Sequence, residues 1–294
     1  MFPRSVTTTR ARQVVYKSTG TPSSLFSSSH LNLSQQRPRR QQLENDNTAA
    51  ESRINMSDTV IREVSNGVWT FSKPFARFGI LPIGGRSTAI KLQDGGVWML
   101  ASTPLDTETR ETLDKLGPVK YIISPDVEHH LFLSQYKEAY PTAKVIAPEG
   151  VVAQHPNKSL VFDGLWGRDP PDTKYGFEKD IEHVYFSGFK NKDVAFLHRQ
   201  SKSLIEADLL MNLPPTEQYS KSKTSPSFFG VSLSPSSWLH SKLTYRLGED
   251  KDAMRRDAKI VAGWDFERII PCHGDVIEKD AKQAWHNVFK SFLD

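Results

Sequence analysis

A single cysteine, Cys272, stands in this chain of 294 residues. No intrachain disulfide can close, so the fold must be held by its core, and such sparing cysteine use suits a reducing compartment or a matrix. Long apolar runs are also missing. None approaches the roughly 18 residues a helical membrane span requires, so the chain is not expected to cross a bilayer. Acidic residues are absent from the first 43 positions, which hold Arg4, Arg10, Arg12, Lys17, Arg37, Arg39 and Arg40. Those seven explain the basic balance: without them 31 basic residues face 34 acidic ones. The body therefore lacks the positive field a nucleic-acid partner would call for.

Residues 1 to 55 are rich in Arg, Ser, Thr and Gln and lack the continuous apolar core of a secretory signal. They are expected to be a disordered tail or a mitochondrial import segment, with Met56 as an alternative start and a cytoplasmic location as the other outcome. From residue 56 to 294 the chain is expected to form one domain, because 37% hydrophobic and 24% charged residues suit a soluble body with a substantial core.

Short apolar segments separated by turn residues begin near Val60. Gly67 to Phe71 and Ser87 to Leu92 are expected strands, and Asp94-Gly95-Gly96 turns the second into Val97 to Leu100. A helix is expected over Thr107 to Leu116, ended by Gly117-Pro118. Strand Val119 to Ile123 then runs into Ser124, which can cap a helix opening at Pro125, with His129, Phe132, Leu133, Tyr136 and Tyr140 on one face. Val145 to Ala147, Ile181 to Phe186, Val194 to His198, Ser203 to Leu210 and Arg268 to Pro271 are further strands. Tyr245 to Ala262 and Ile277 to Leu293 read as helices. Met211 to Ser236 is a long Pro- and Ser-rich excursion of the kind that forms lids, with Phe228, Phe229 and Trp238 as candidate walls of a site. Alternating helix and strand makes this an α/β chain.

The chemistry concentrates where strands end. Ile123 delivers Asp126, Glu128, His129 and His130 within a few residues, Asp208 follows a later strand, and His273 sits in Pro271-Cys272-His273-Gly274-Asp275. Imidazole with carboxylate is the donor set of zinc and its neighbours. Histidines 155, 183, 198, 240 and 286 have no such company.

The order of hairpin, helix, strand ending in a His-bearing loop, later strand ending in Asp, and late Ile-Ile-Pro-Cys-His-Gly resembles the metallo-β-lactamase fold superfamily. It is most similar to the branch carrying the DUF4336 domain, in which a Pro-x-x-x-His-His loop replaces the usual His-x-His-x-Asp-His. The resemblance spans about residues 60 to 294 and implies a four-layer αββα sandwich. By the same likeness Pro125 and Val127 stand where the first two histidines would be, and His129 replaces the Asp. His130 matches the last His, Asp208 the bridging Asp and His273 the final His. The middle histidine of the first site should fall at residues 187 to 190, which read Ser-Gly-Phe-Lys. The first metal site is thus expected to be lost.

His130, Asp208 and His273 are then the expected ligands of one zinc or other divalent ion. His129 is either a fourth ligand or a neighbour that positions the others. Asp126 is placed to fix a histidine tautomer, and Asp126 or Glu128 would accept a proton. Three readings stay open: a single-metal hydrolase of a small-molecule ester, thioester, amide or phosphoester; a non-catalytic descendant that binds a ligand or protein; and, weakest because the two-metal motif is lost, a nucleic-acid-processing enzyme of the kind the superfamily includes.

Overall fold

The computed structural model describes residues 57–223 and 233–294. The early strands are β1 (Val60–Ser65), β2 (Val68–Lys73), the short β3 (Ala76–Arg77) and β4 (Leu81–Pro82), β5 (Gly85–Lys91) and β6 (Val97–Leu100). Helix α1 (Thr107–Leu116), β7 (Val119–Ile123), α2 (Leu133–Ala139), β8 (Lys144–Pro148), α3 (Gly150–Gln154) and β9 (Gly164–Trp166) complete the first half. The second half holds β10 (Ile181–Tyr185), β11 (Val194–His198), β12 (Ser203–Glu206), α4 (Trp238–Leu247), α5 (Lys251–Gly263), β13 (Arg268–Pro271) and α6 (Ala281–Leu293).

Strand β6 shows why the layers stack as they do. Successive side chains of a strand point to opposite faces. Trp98 and Leu100 enter one apolar cluster with Ile123, Ile146, Phe196, Ile205 and Ile270, while Val97 and Met99 enter another with Leu113, Leu133, Tyr136 and Val151. The first cluster lies between two sheets, the second under α1, α2 and α3. On the far side, Ala195, Leu197, Leu204 and Ile269 meet Met254, Val261, Trp285 and Phe289 of α5 and α6. A strand that is apolar on both faces must be covered on both. The result is the αββα sandwich.

Both sheets are mixed. The larger has the order β1-β2-β5-β6-β7-β8-β9, antiparallel up to β6 and parallel beyond it. The smaller is β10-β11-β12-β13, with only the last pair parallel. Backbone bonds knit the loops at one rim: Val194 N donates to Pro125 O (2.8 Å), Val127 N to Asn191 O (3.0 Å) and Gly274 N to Ile83 O (3.1 Å). The loops bearing His129, Asp208 and His273 leave the ends of β7, β12 and β13 at that rim.

Helix α1 matches its expected bounds. Asp106 caps it by accepting from Thr109 N at 2.9 Å, and Gly117 ends it at φ 146°, where a Cβ would lie 2.3 Å from Gly95 O. The helix expected from Pro125 is instead an irregular loop as far as Phe132. Asp126 Oδ1 accepts from Glu128 N and His129 N, and Ser124 Oγ donates to Asp126 O and His129 O. Side chains thus occupy the backbone groups a helix would have used. The single helix expected over Tyr245 to Ala262 is two, broken at Gly248; Asp250 caps the second by accepting from Asp252 N and Ala253 N. Strands β1, β3, β4 and β9 and helix α3 were not foreseen.

Candidate metal centre

His129 is oriented by its own loop. The Asx turn at Asp126 brings the ring back so that Nδ1 lies 2.9 Å from both Asp126 oxygens. A fully buried carboxylate accepts here, so in the neutral ring Nδ1 carries the proton and Nε2 the lone pair. His273 is fixed the same way from another loop. Its Nδ1 lies 2.6 Å from Gly84 O, and a carbonyl can only accept, so Nε2 is again the free lone pair.

Those two lone-pair atoms face each other. The Nε2 atoms of His129 and His273 are 3.1 Å apart, and Asp208 Oδ1 lies 3.2 Å from His273 Nε2. Asp208 Oδ1 is buried without any hydrogen-bond partner, while Oδ2 accepts from Asn191 Nδ2 at 2.5 Å. Three acceptors from three loops therefore converge, with ligand atoms within 4.8 Å of one another. Such atoms crowd together around positive charge, which the His129 proton supplies in the ion-free protein and a cation would supply in its place. The donor set fits a divalent ion, and each imidazole already has the outer hydrogen bond that metal-bound histidines make.

The electrostatics agree. Burial opposes charge on His129, but Asp126 and Asp208 outweigh it and push its pKa up to about 9. Burial would likewise neutralise Asp208, yet the charge on His129, the His273 contact and the more distant Arg77 hold it well below the usual carboxylate range. Asp193 and Glu206, behind it, are driven well above that range by burial and by neighbouring carboxylates. They serve as frame: Asp193 Oδ2 accepts from Asp208 N at 2.6 Å and Glu206 Oε2 from Leu210 N at 3.0 Å.

The His273 loop is clamped from behind by Arg86, which is fully buried. Its Nη1 donates to Pro271 O (2.7 Å) and Gly274 O (2.6 Å), and its Nε to Ser72 Oγ (3.0 Å). Gln218 adds a bond to Cys272 O and accepts from Gly274 N. Gly274 has φ 87°, and a Cβ there would meet Asn212 O at 2.1 Å. No side chain fits that turn.

His130 does not join the trio. The turn that gives His129 to the rim turns His130 inward, toward α2 and α3. There its Nδ1 lies 3.2 Å from His155 Nδ1, and His155 Nε2 lies 2.9 Å from Ser134 Oγ. Burial lowers the pKa of both histidines. His129 thus takes the place expected of His130, while Asp208 and His273 stand where expected. Asp126 has both oxygens on His129, whereas Glu128 is exposed, 3.6 Å from Arg77. At the expected first site, Val127 is buried against α3, Phe189 is fully buried and Lys190 N donates to Leu247 O. None of these offers a ligand.

A cavity of about 430 Å³ opens beside His129 and His273, walled by Phe75, Phe78, Leu131 and Phe132. Phe228 and Phe229 lie outside the described residues. Trp238 is exposed, with Lys242 Nζ 4.6 Å from its ring centroid, and does not line the cavity. Residues 216–219 instead brace the site from behind, through Glu217 to Arg86, Gln218 to Gly274 and Tyr219 Oη to Phe75 O. Sequence reasoning missed Gly84, Arg86, Asn191 and the 75–82 segment. Only Gly84-Gly85 carried a signal, as a turn beside a strand.

A family model described as "Domain of unknown function (DUF4336)" matches residues 65–230. No curated protein matches. Among solved structures, the chain is similar to a metallo-β-lactamase from Pontibacter korlensis: 14% identity, TM-score 0.51, 80% of this chain and 99% of that one covered. It is also similar to one from Erythrobacter litoralis with β-mercaptoethanol in the active site, at 10% identity and TM-score 0.53, covering 80% and 96%. A third is the mono-zinc form of FIM-1 from Pseudomonas aeruginosa, at 10% identity and TM-score 0.51, covering 80% and 97%. Identities this low speak for the fold alone, while the family match takes in more than half of the sequence: the chain belongs to the DUF4336 family, on a metallo-β-lactamase fold.

Proposed function

We propose that His129, Asp208 and His273 hold one divalent ion, zinc by donor preference, and that the site hydrolyses a small-molecule ester, thioester, amide or phosphoester. The observation that carries this reading is the convergence of the two imidazole Nε2 atoms with a buried carboxylate oxygen that has no hydrogen-bond partner. An ion in such a place supplies a Lewis acid for a carbonyl or phosphoryl oxygen and lowers the pKa of water to about 7.

The chain's own residues do the rest. Asp126 and Gly84 O hold the two rings in the ligating tautomer, and Asn191 turns Asp208 so that Oδ1 faces the rings. Glu128, at the cavity wall, is the proton acceptor of this proposal. With one charge rather than two to polarise the substrate, turnover should be slow and confined to activated substrates.

The test is hydrolysis of p-nitrophenyl acetate and of bis(p-nitrophenyl) phosphate by zinc-loaded and chelator-treated protein, alongside His273→Ala. Zinc-dependent turnover of either substrate, lost in His273→Ala, is the expected result. Zinc binding without turnover would overturn hydrolysis and leave the ligand-binding reading.

A further inference from the structure

We infer that the cavity beside the trio receives the apolar acyl or aryl part of an amphipathic carboxylate-type ligand, whose negative end pairs with Arg77. The inference rests on the hydrolase reading for its chemistry but on the cavity alone for its binding.

The walls are Pro74, Phe75, Phe78, Pro104, Leu131 and Phe132. Three of these large apolar side chains stay open to water: Phe75 is 47% exposed, Leu131 63% and Phe78 80%. One such residue is ordinary, but three around a single mouth make a patch that needs an occupant. The cavity is within the size range of small-molecule sites, roughly 300 to 1,000 Å³. Its inner end is the candidate centre, where the Phe75 ring stacks 6.1 Å from that of His273. An apolar group lying against these rings would therefore carry its attached carbonyl to the trio.

The charge at the mouth selects the other end. Lys73 is held by Asp58 at 2.7 Å, with Asp106 at 3.6 Å. Arg77 has a looser partner: Glu128 at 3.6 Å, both side chains more than a third exposed, while its guanidinium lies 5.4 Å from the Phe78 ring centroid. A surface pair of that length contributes little. Arg77 can exchange it for a carboxylate, which the planar guanidinium binds with two parallel bonds. Of the two hydroxyl side chains in the wall, Ser102 and Thr103, the latter already shares a hydrogen bond with Ser87 at 2.8 Å. With Lys73 already paired and exposed Phe75, Phe78 and Leu131 forming the mouth, the site suits a fatty or aryl acid, which needs one cation and apolar surface.

The experiment is calorimetric titration of the full chain, in chelator so that metal plays no part, with decanoate, butyrate and decanol. Burying a methylene is worth about fourfold in affinity, so half-burial of the six extra methylenes gives decanoate on the order of fiftyfold tighter binding than butyrate. Phe78→Asn, chosen because Asn tolerates the positive φ of 55° at that position, should remove most of that preference. Arg77→Gln should weaken decanoate about tenfold and leave decanol unchanged. Equal binding of decanoate and butyrate, or decanoate binding indifferent to both substitutions, would overturn the inference. Because no metal is present, that failure is separate from a failure of the hydrolase reading, which shows itself as absent zinc binding or turnover.

Discussion

His129 Nε2 faces His273 Nε2 at 3.1 Å, although both rings have already spent their Nδ1 protons, on Asp126 and on Gly84 O. In the metal-free protein the proton that reconciles them sits on His129, whose pKa is pushed up to about 9. At pH 7 zinc must displace it. Titration calorimetry at pH 7 in two buffers of different ionisation enthalpy should therefore show about one proton released per zinc, and affinity should rise about tenfold per pH unit up to about pH 9. No proton release would contradict the assignment of tautomers.

Asp126 would act on a bound ion only through His129, on which both its oxygens lie. Asp126→Asn keeps an oxygen to accept from the two backbone amides but lowers the basicity of the ring. The expected cost is a tenfold to hundredfold loss of zinc affinity, roughly what such outer partners contribute. Far-UV circular dichroism should stay unchanged. An affinity equal to that of the parent protein would show that Asp126 matters only for the turn.

Arg86 is a stability prediction. Replacing it with Met leaves Pro271 O, Gly274 O and Glu217 without their buried cation. Removing one partner of such a network costs about 3 to 5 kcal/mol. Urea unfolding should show that loss as a lower midpoint, and zinc affinity should fall with it because the His273 turn loses its clamp. Unchanged stability would mean the loop is held by Gln218 and Gly274 alone.

His240 gives a pH dependence of known sign. Burial pulls its pKa down to about 4; Nε2 accepts from Met211 N and Nδ1 donates to Ser234 O. The folded pKa lies below the unfolded one, so the unfolded chain takes up the proton first. The stabilisation is full above about pH 6.5 and is lost as pH falls toward about 4, by at most about 3 kcal/mol. Unfolding at pH 7.5 and 4.5 should show a smaller difference in His240→Gln than in the parent protein. An equal difference would remove His240 as the cause.

Much of the sandwich was legible because its strands follow simple rules. The limits of β7, β11 and β13 came from apolar runs, and those of α1 from Leu113 and Leu116 at helical spacing with Gly117-Pro118 behind them; all four match the structure. Short strands such as β3, β4 and β9 carry too few residues for a period to show. Asp208 and His273 were readable from strand ends. The swap of His129 for His130 was not, because it depends on Asp126 and Ser124 capturing backbone groups over six residues. Gly84 reaches His273, and Arg86 the backbone beside it, across more than 180 positions, a distance at which pattern says nothing.

Metal stoichiometry of untagged protein, measured by mass spectrometry after incubation with zinc and gel filtration, tests the central claim most directly. One ion per chain is expected for the parent protein and for His130→Ala, and none for His129→Ala, Asp208→Ala or His273→Ala. Metal-free parent protein, or binding that survives loss of His129 but fails without His130, would contradict it.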